Sequence, residues 1–247
     1  MLYDHPELYD ALLPPEGHAA YYAALADRHP GAVLELACGS GQLTVPLARP
    51  GRLVAGLDRS RPMLDAARRR AAAAGAQIEF IEADMRAFDL GRRFGLVFIA
   101  RNSLLHLSDA PDFQALFAAV RGHLAPGGLF AFDVFNPDVR LLARPAGERF
   151  PVMRVASESY GELIVEATSD YDAATQVNRA TWYISTPVRR DAWVTPLHLR
   201  SIFPEELPLL LAAGGFRLLS RAGDLKGAAF TSASPRQVCL CEVATAA

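Results

Sequence analysis

The segment Val33–Gly41, reading V-L-E-L-A-C-G-S-G, constrains this chain more than any other. An apolar strand carries one acid, Glu35, and breaks into a Gly-x-Gly turn at Gly39 and Gly41; the following Gln42–Ala48 reads as a helix. Glycines at such a turn let the backbone pass close to a nucleotide-like ligand, where a side chain would intervene. A second apolar run, Leu53–Leu57, ends in Asp58. That is about 20 residues past the turn, where an acid grips ribose hydroxyls in a strand–turn–helix unit. The third glycine of the dinucleotide fingerprint falls on Thr44, and Glu35 would set like charge against a pyrophosphate. Both disfavour a nicotinamide dinucleotide, whereas an acid suits a ligand with a positive centre and no phosphate.

With 247 residues, about half of them hydrophobic, the chain is long enough for one large α/β domain with a modest insertion. A net charge of −2 gives no global attraction to nucleic acid or an anionic membrane. The densest basic run, Arg68–Arg70, lies on a predicted helix and reads as a solvated face. Three cysteines make no disulfide framework, and Cys239 and Cys241 share one face of a strand. No ligand cluster suggests a metal. The acidic, aromatic start, Met1–Asp10, is unlike a signal peptide, and no apolar run has spanning length. The expectation is a cytoplasmic protein.

Strand and helix signals alternate through the first 135 residues. Strands are expected at Ala32–Ala37, Leu53–Asp58, Gln77–Glu82, Phe94–Ala100 and Leu129–Phe135. One helix is capped by Ser60 and stopped by Gly75; another runs Pro111–Leu124 and is stopped by Ala125–Gly128. Repeated βα units predict a Rossmann-like, doubly wound, mostly parallel sheet of seven strands. Runs at Pro151–Glu158, Glu162–Thr168, Gln176–Ser185 and Trp193–Ile202 predict an antiparallel β lid inserted between strands five and six. A helix, Pro204–Ala213, and an antiparallel pair, Phe216–Arg221 and Arg236–Val243, close the sheet. The expected division is an N-terminal helical arm (1–30), a core (31–136 and 203–247) and the lid (137–202).

Every landmark falls at a strand's carboxyl end, where open parallel sheets bind ligands. The series Glu35–Gly41, Gly56–Ser60, Glu82–Met85, Asn102–Leu107 and Leu124–Gly128 resembles the class I methyltransferases that use S-adenosylmethionine. It is most similar to a small-molecule branch with a β lid, which includes sugar-amine and glycine-type N-methyltransferases. The resemblance covers nearly the whole chain and speaks more to cofactor and fold than to acceptor.

That resemblance implies methyl transfer from S-adenosylmethionine to a small-molecule acceptor, nitrogen slightly before oxygen, leaving S-adenosylhomocysteine. It assigns the cofactor to Glu35, Ala37, Gly39, Gly41, Asp58, Arg59, Met63, Asp84, Met85 and Ala100. Asp58 takes the ribose hydroxyls, Asp84 and the Met85 amide read adenine, and a backbone carbonyl near Ala100 holds the ammonium. Asn102 and His106 are the catalytic candidates, His106 as a base should the acceptor be oxygen. Acceptor contacts are assigned to Tyr9, Asn136, Trp182, His198 and Arg200, with Arg200 either pairing an acidic acceptor group or solvated. Arg86 is an alternative partner for Asp84. No nucleic acid, membrane or metal partner is expected, and the chain is read as a monomer or homodimer. The competing readings are a non-catalytic binder of the cofactor and a methyltransferase acting on RNA or protein.

Overall fold

The computed structural model describes residues 1–244; the last three residues of the expected core segment, 245–247, lie outside them. Two helices, α1 (Pro6–Leu12) and α2 (His18–Arg28), precede β1 (Val33–Leu36), β2 (Val54–Asp58), α3 (Arg61–Ala73), β3 (Glu79–Glu82) and β4 (Phe94–Ile99). Next come α4 (Ala110–His123), β5 (Leu124–Phe135) and the short α5 (Val139–Leu142). The inserted strands are β6 (Phe150–Ser157), β7 (Gly161–Thr168), β8 (Tyr171–Asp172), β9 (Val177–Ser185) and β10 (Trp193–Arg200). Helix α6 (Glu206–Ala213), β11 (Phe216–Ala222) and β12 (Arg236–Val243) complete the order.

Seven strands form one sheet in the order β11-β12-β5-β4-β1-β2-β3, and only β12 runs against the others. Chain order reverses between β1 and β4, which opens a crevice at their carboxyl ends. Alternating side chains serve both faces. Leu34, Leu36, Val97, Ile99, Phe130 and Phe132 meet Phe113, Phe117 and Leu211 on one side. Val33, Leu96, Phe98 and Ala131 meet Tyr22, Leu25 and Leu47 on the other. The helices start where their caps dictate. Ser60 accepts from the Met63 amide, Asp109 accepts from the Asp112 amide, and a proline follows each cap.

The insertion is a second, antiparallel sheet, β10-β9-β7-β6, with β8 paired to β9. Its buried residues Leu163, Val165 and Ile184 pack against Leu2, Leu8 and Leu12, so the arm's apolar face lies on the lid. Among the described residues, no helix is long and apolar enough to cross a membrane.

Two local expectations are corrected. Gln42–Ala48 is a turn leading into a 3-10 segment, Val45–Leu47, rather than an α-helix, because Pro46 lacks the amide that would bond back to Gln42. Ala125–Gly128 does not separate helix from strand. It is a bulge inside β5, with Leu124 already beside Phe94 and the register shifted before Leu96–Leu129. The two-residue strand β8 carries too short a pattern to be read from sequence.

Candidate functional site

Four loops leave the carboxyl ends of β1, β2, β3 and β4 and meet over the crevice. Their backbone is unusual. Ala37 (φ 56°), Gly39 (φ 54°) and Gly41 (φ 75°) are left-handed after β1, and Arg101 (φ 57°) and Asn102 (φ 68°) are left-handed after β4. Left-handed non-glycine residues cost free energy and concentrate where surrounding structure imposes a functional geometry.

Asp58 joins two of these loops. One carboxylate oxygen accepts from the Gly39 amide at 2.8 Å, the other from the Ser60 amide at 2.8 Å. Burial raises its pKa against the pull of those amides. A Cβ added to Gly39 would meet nothing within 4 Å, so the loop borders open space beside Asp58. A ribose-bearing cofactor fits a cradle of this kind, with Asp58 retaining lone pairs for hydroxyls.

Glu35 lies inside β1 on the α2 face, buried, and accepts from the Thr44 hydroxyl. Burial pushes its pKa up to about 8, so at neutral pH it is mostly protonated. The unfolded chain ionises this carboxyl above its ordinary 4.5, while the folded chain holds the proton to about 8. Stability falls as pH rises through that window, by at most roughly 1.4 kcal/mol per pH unit, and the effect is constant outside it. Glu35→Gln keeps an acceptor for Thr44 and cannot ionise. Its stability relative to wild type is expected to grow from pH 5 to pH 8, as read from denaturation midpoints. A difference that does not change with pH would refute the protonated state.

The adenine side is more committed than the sequence suggests. Both carboxylate oxygens of Asp84 are engaged by Arg86, at 2.7 and 3.0 Å, and Arg86 reaches on to Asp112 at 2.7 Å. Asp84 thus takes the alternative partner, which holds its carboxyl below the usual range. Met85 packs against the core with its backbone in the loop, and Met63 is fully buried under α3. Arg59 is exposed at the end of β2, near enough to act on the ionisation of Tyr3, Asp84 and His106. Ala100 is buried at the end of β4, and its carbonyl accepts from the Ser103 amide.

The arm reaches the loops through Tyr9, which the sequence assigned, and through Tyr3 and Asp10. The Tyr3 hydroxyl shares a 2.8 Å hydrogen bond with His106 Nε2, and the two rings meet edge-on. Tyr9 lies 5.9 Å from Tyr3 and under the Arg101 guanidinium at 5.5 Å. Asp10 accepts from Ser40, from Gln42 at 2.7 Å and from Arg70 at 2.6 Å, which latches α1 to the glycine loop. The partners of Asp10 lie 30 to 60 residues away, which hides them from the sequence.

Several of the expected site residues have partners within the chain. Asn102 uses its side-chain oxygen to accept from the Phe135 amide at 2.7 Å, which shapes the turn. His106 is exposed but bonded to Tyr3, and desolvation by the neighbouring protein together with Arg59 pushes its pKa down to about 4. Asn136 donates to the Ser234 carbonyl and fastens the start of β12. Arg200 is neither solvated nor free: it pairs with Glu206 at 2.5 Å and with Gln176 at 3.1 Å, tying the lid to α6. Trp182 packs in the arm–lid cluster, and His198 is exposed on the edge strand β10.

Residues 33–128 match a family described as a methyltransferase domain. A dTDP-3-amino-3,6-dideoxy-α-D-glucopyranose N,N-dimethyltransferase of Streptomyces fradiae is 36% identical over 135 residues, 51% of each chain. The alignment thus spans about half of that relative. Similarity to the solved CcbJ methyltransferase of Streptomyces caelestis runs nearly end to end: 29% identity, TM-score 0.78, 94% of this chain and 91% of that one. The glycopeptide N-methyltransferase MtfA, solved with S-adenosylmethionine, is 25% identical, with a TM-score of 0.62 and 93% of each chain covered.

Proposed function

Starting from a chain that carries an S-adenosylmethionine-dependent methyltransferase domain of class I, we propose that it methylates nitrogen on a small-molecule amine. The observation that carries the choice of nitrogen is the similarity to aminosugar and glycopeptide N-methyltransferases, and a His106 whose pKa is pushed down to about 4 is consistent with it. An oxygen acceptor must lose its proton to attack, whereas an amine needs only to arrive neutral and aligned.

When bound, S-adenosylmethionine supplies a methyl carbon already activated by its positive sulfur. The protein's own work is placement. Asp58 would hold the ribose edge, with the Gly39 loop beneath it and the β4 exit at Ala100 toward the amino-acid portion. Tyr3, Tyr9 and His106 would border the space above. The acceptor nitrogen would supply the attacking lone pair, and the methylated ammonium so formed would give up its proton to solvent after release. Alignment of this kind supplies up to roughly 7–11 kcal/mol of barrier reduction.

Transfer of a deuterated methyl group, followed by mass spectrometry on paired amino and hydroxy sugars, tests the reading. Methylation of the amino compounds only is expected; methylation of the hydroxy partner alone would overturn the nitrogen assignment. His106→Asn is expected to change kcat by less than about fivefold, against the 10²- to 10⁴-fold loss typical of a general base. The rate should rise with pH toward the acceptor's own pKa, with no separate limb at the ordinary histidine value.

A further inference from the structure

Asp133 lies in β5 with no exposed surface, on the sheet face covered by α2. One oxygen accepts from the Tyr22 hydroxyl at 2.8 Å and from the Arg101 amide at 3.0 Å. The other meets His18 at 3.2 Å and the Arg236 guanidinium. Four donors from α2, β12 and the β4 exit converge on one carboxylate, which His18, Arg236 and the Arg101 amide keep ionised despite its burial. An apolar strand gives no packing reason for a charge here, and burying one is costly unless its partners are complete.

Its placement supplies the reason. Arg101 and Asn102 are consecutive left-handed residues, and β5 grips both. Asp133 takes the Arg101 amide with its side chain and the Asn102 amide with its carbonyl at 3.1 Å, while Phe135 donates to the Asn102 side chain. Arg101 then carries the constraint outward: its guanidinium donates to Gln42 beyond the glycine loop and to the Leu13 carbonyl in the arm, over the Tyr9 ring.

We propose that Asp133 is a positioning residue for the methyl donor, holding the Ala100–Asn102 turn in the shape that receives the donor's amino-acid portion. The inference rests on the methyltransferase reading. Asp133 touches no ligand in it and acts through the Arg101 amide. An asparagine would not replace it, since its NH2 in place of either oxygen would face a group that can only donate, the Arg236 guanidinium or the Arg101 amide.

The test separates the two halves of the ligand. S-adenosylmethionine carries the amino-acid portion, whereas 5′-methylthioadenosine has the same nucleoside without it. Calorimetry of Asp133→Asn, at a temperature where circular dichroism shows it folded, is expected to give at least tenfold weaker S-adenosylmethionine binding. Binding of 5′-methylthioadenosine should stay within twofold of wild type. Equal weakening of both ligands, or of neither, would overturn the proposal and leave Asp133 a stabilising residue only. Should that variant not fold, Tyr22→Phe removes one donor from the same oxygen and keeps the ring stacked on Phe98. It is expected to weaken S-adenosylmethionine about threefold and to spare 5′-methylthioadenosine, judged by the same criterion. Failure of wild type itself to bind S-adenosylmethionine would remove the underlying reading, a result distinct from parallel loss in the variants.

Discussion

Asp58→Ala is expected to weaken S-adenosylmethionine binding by at least a hundredfold, the largest loss from any single side chain in this site. The carboxylate serves two structures at once. It accepts from the amides of Gly39 and Ser60, which sets the glycine loop against the start of α3, and its remaining lone pairs face the space assigned to ribose. Hydrogen bonds to a charged group are worth about 1.5–3 kcal/mol each. Loss of two toward the ribose amounts to about 3 kcal/mol or more, and each 1.4 kcal/mol is tenfold in affinity. Alanine also leaves two amides unpaired, so some stability should go with the binding. Asp58→Asn retains an acceptor and should fall between, about tenfold weaker. Calorimetry of S-adenosylmethionine and S-adenosylhomocysteine beside thermal denaturation separates these effects. Unchanged affinity in a folded Asp58→Ala protein would move the ribose elsewhere and sink the assignment of this cradle.

The parallel sheet is legible because each central strand is an apolar run that ends on a turn residue or an acid. Leu34, Leu36, Val97 and Ile99 need no knowledge of their partners to read as buried on one face. What the sequence hides depends on distant pairing. Ala125-Pro126-Gly127-Gly128 looks like a break, yet it stays in β5 because Leu124 has already paired with Phe94. Gly128 is required there because a Cβ would lie 2.9 Å from the carbonyls of Ala125 and Phe94. Gln42–Ala48 fails the other way: its helical composition is overruled by one proline.

The same division runs through the site. Gly39, Gly41 and Asp58 are legible because their chemistry is local, within one strand–turn–helix unit. Arg86, two residues from Asp84, could be weighed as its partner for the same reason. The partners of Asp133, Tyr3 and Asp10 were not legible. Asp133 meets donors from residues 18, 22, 101 and 236, and Tyr3 meets a histidine 103 positions away. Asn102, Asn136 and Arg200 look available in sequence only because the groups that occupy them, Phe135, Ser234 and Glu206, are brought to them by the fold.

The two glycines of the turn are expected to fail in opposite ways. Both are left-handed, so alanine costs about 1–2 kcal/mol at either position from backbone strain alone. Their surroundings differ. A Cβ at Gly41 would lie 3.0 Å from the Ala67 Cβ and 3.3 Å from its Cα, wedging the loop off α3. Overpacking of that kind adds about 1–3 kcal/mol, so Gly41→Ala should lower stability by roughly 2–5 kcal/mol. A Cβ at Gly39 meets no protein atom within 4 Å, so Gly39→Ala should lose little beyond the strain. Its methyl group would instead occupy the open space at the loop, which is the space proposed for the cofactor. Affinity for S-adenosylmethionine should fall at least thirtyfold in a protein that still melts cooperatively. Denaturation and calorimetry on the two variants therefore divide the motif into a packing glycine and a binding glycine. If Gly39→Ala bound S-adenosylmethionine like wild type, the ligand could not lie against this loop, because the added methyl has nowhere to go except into that space.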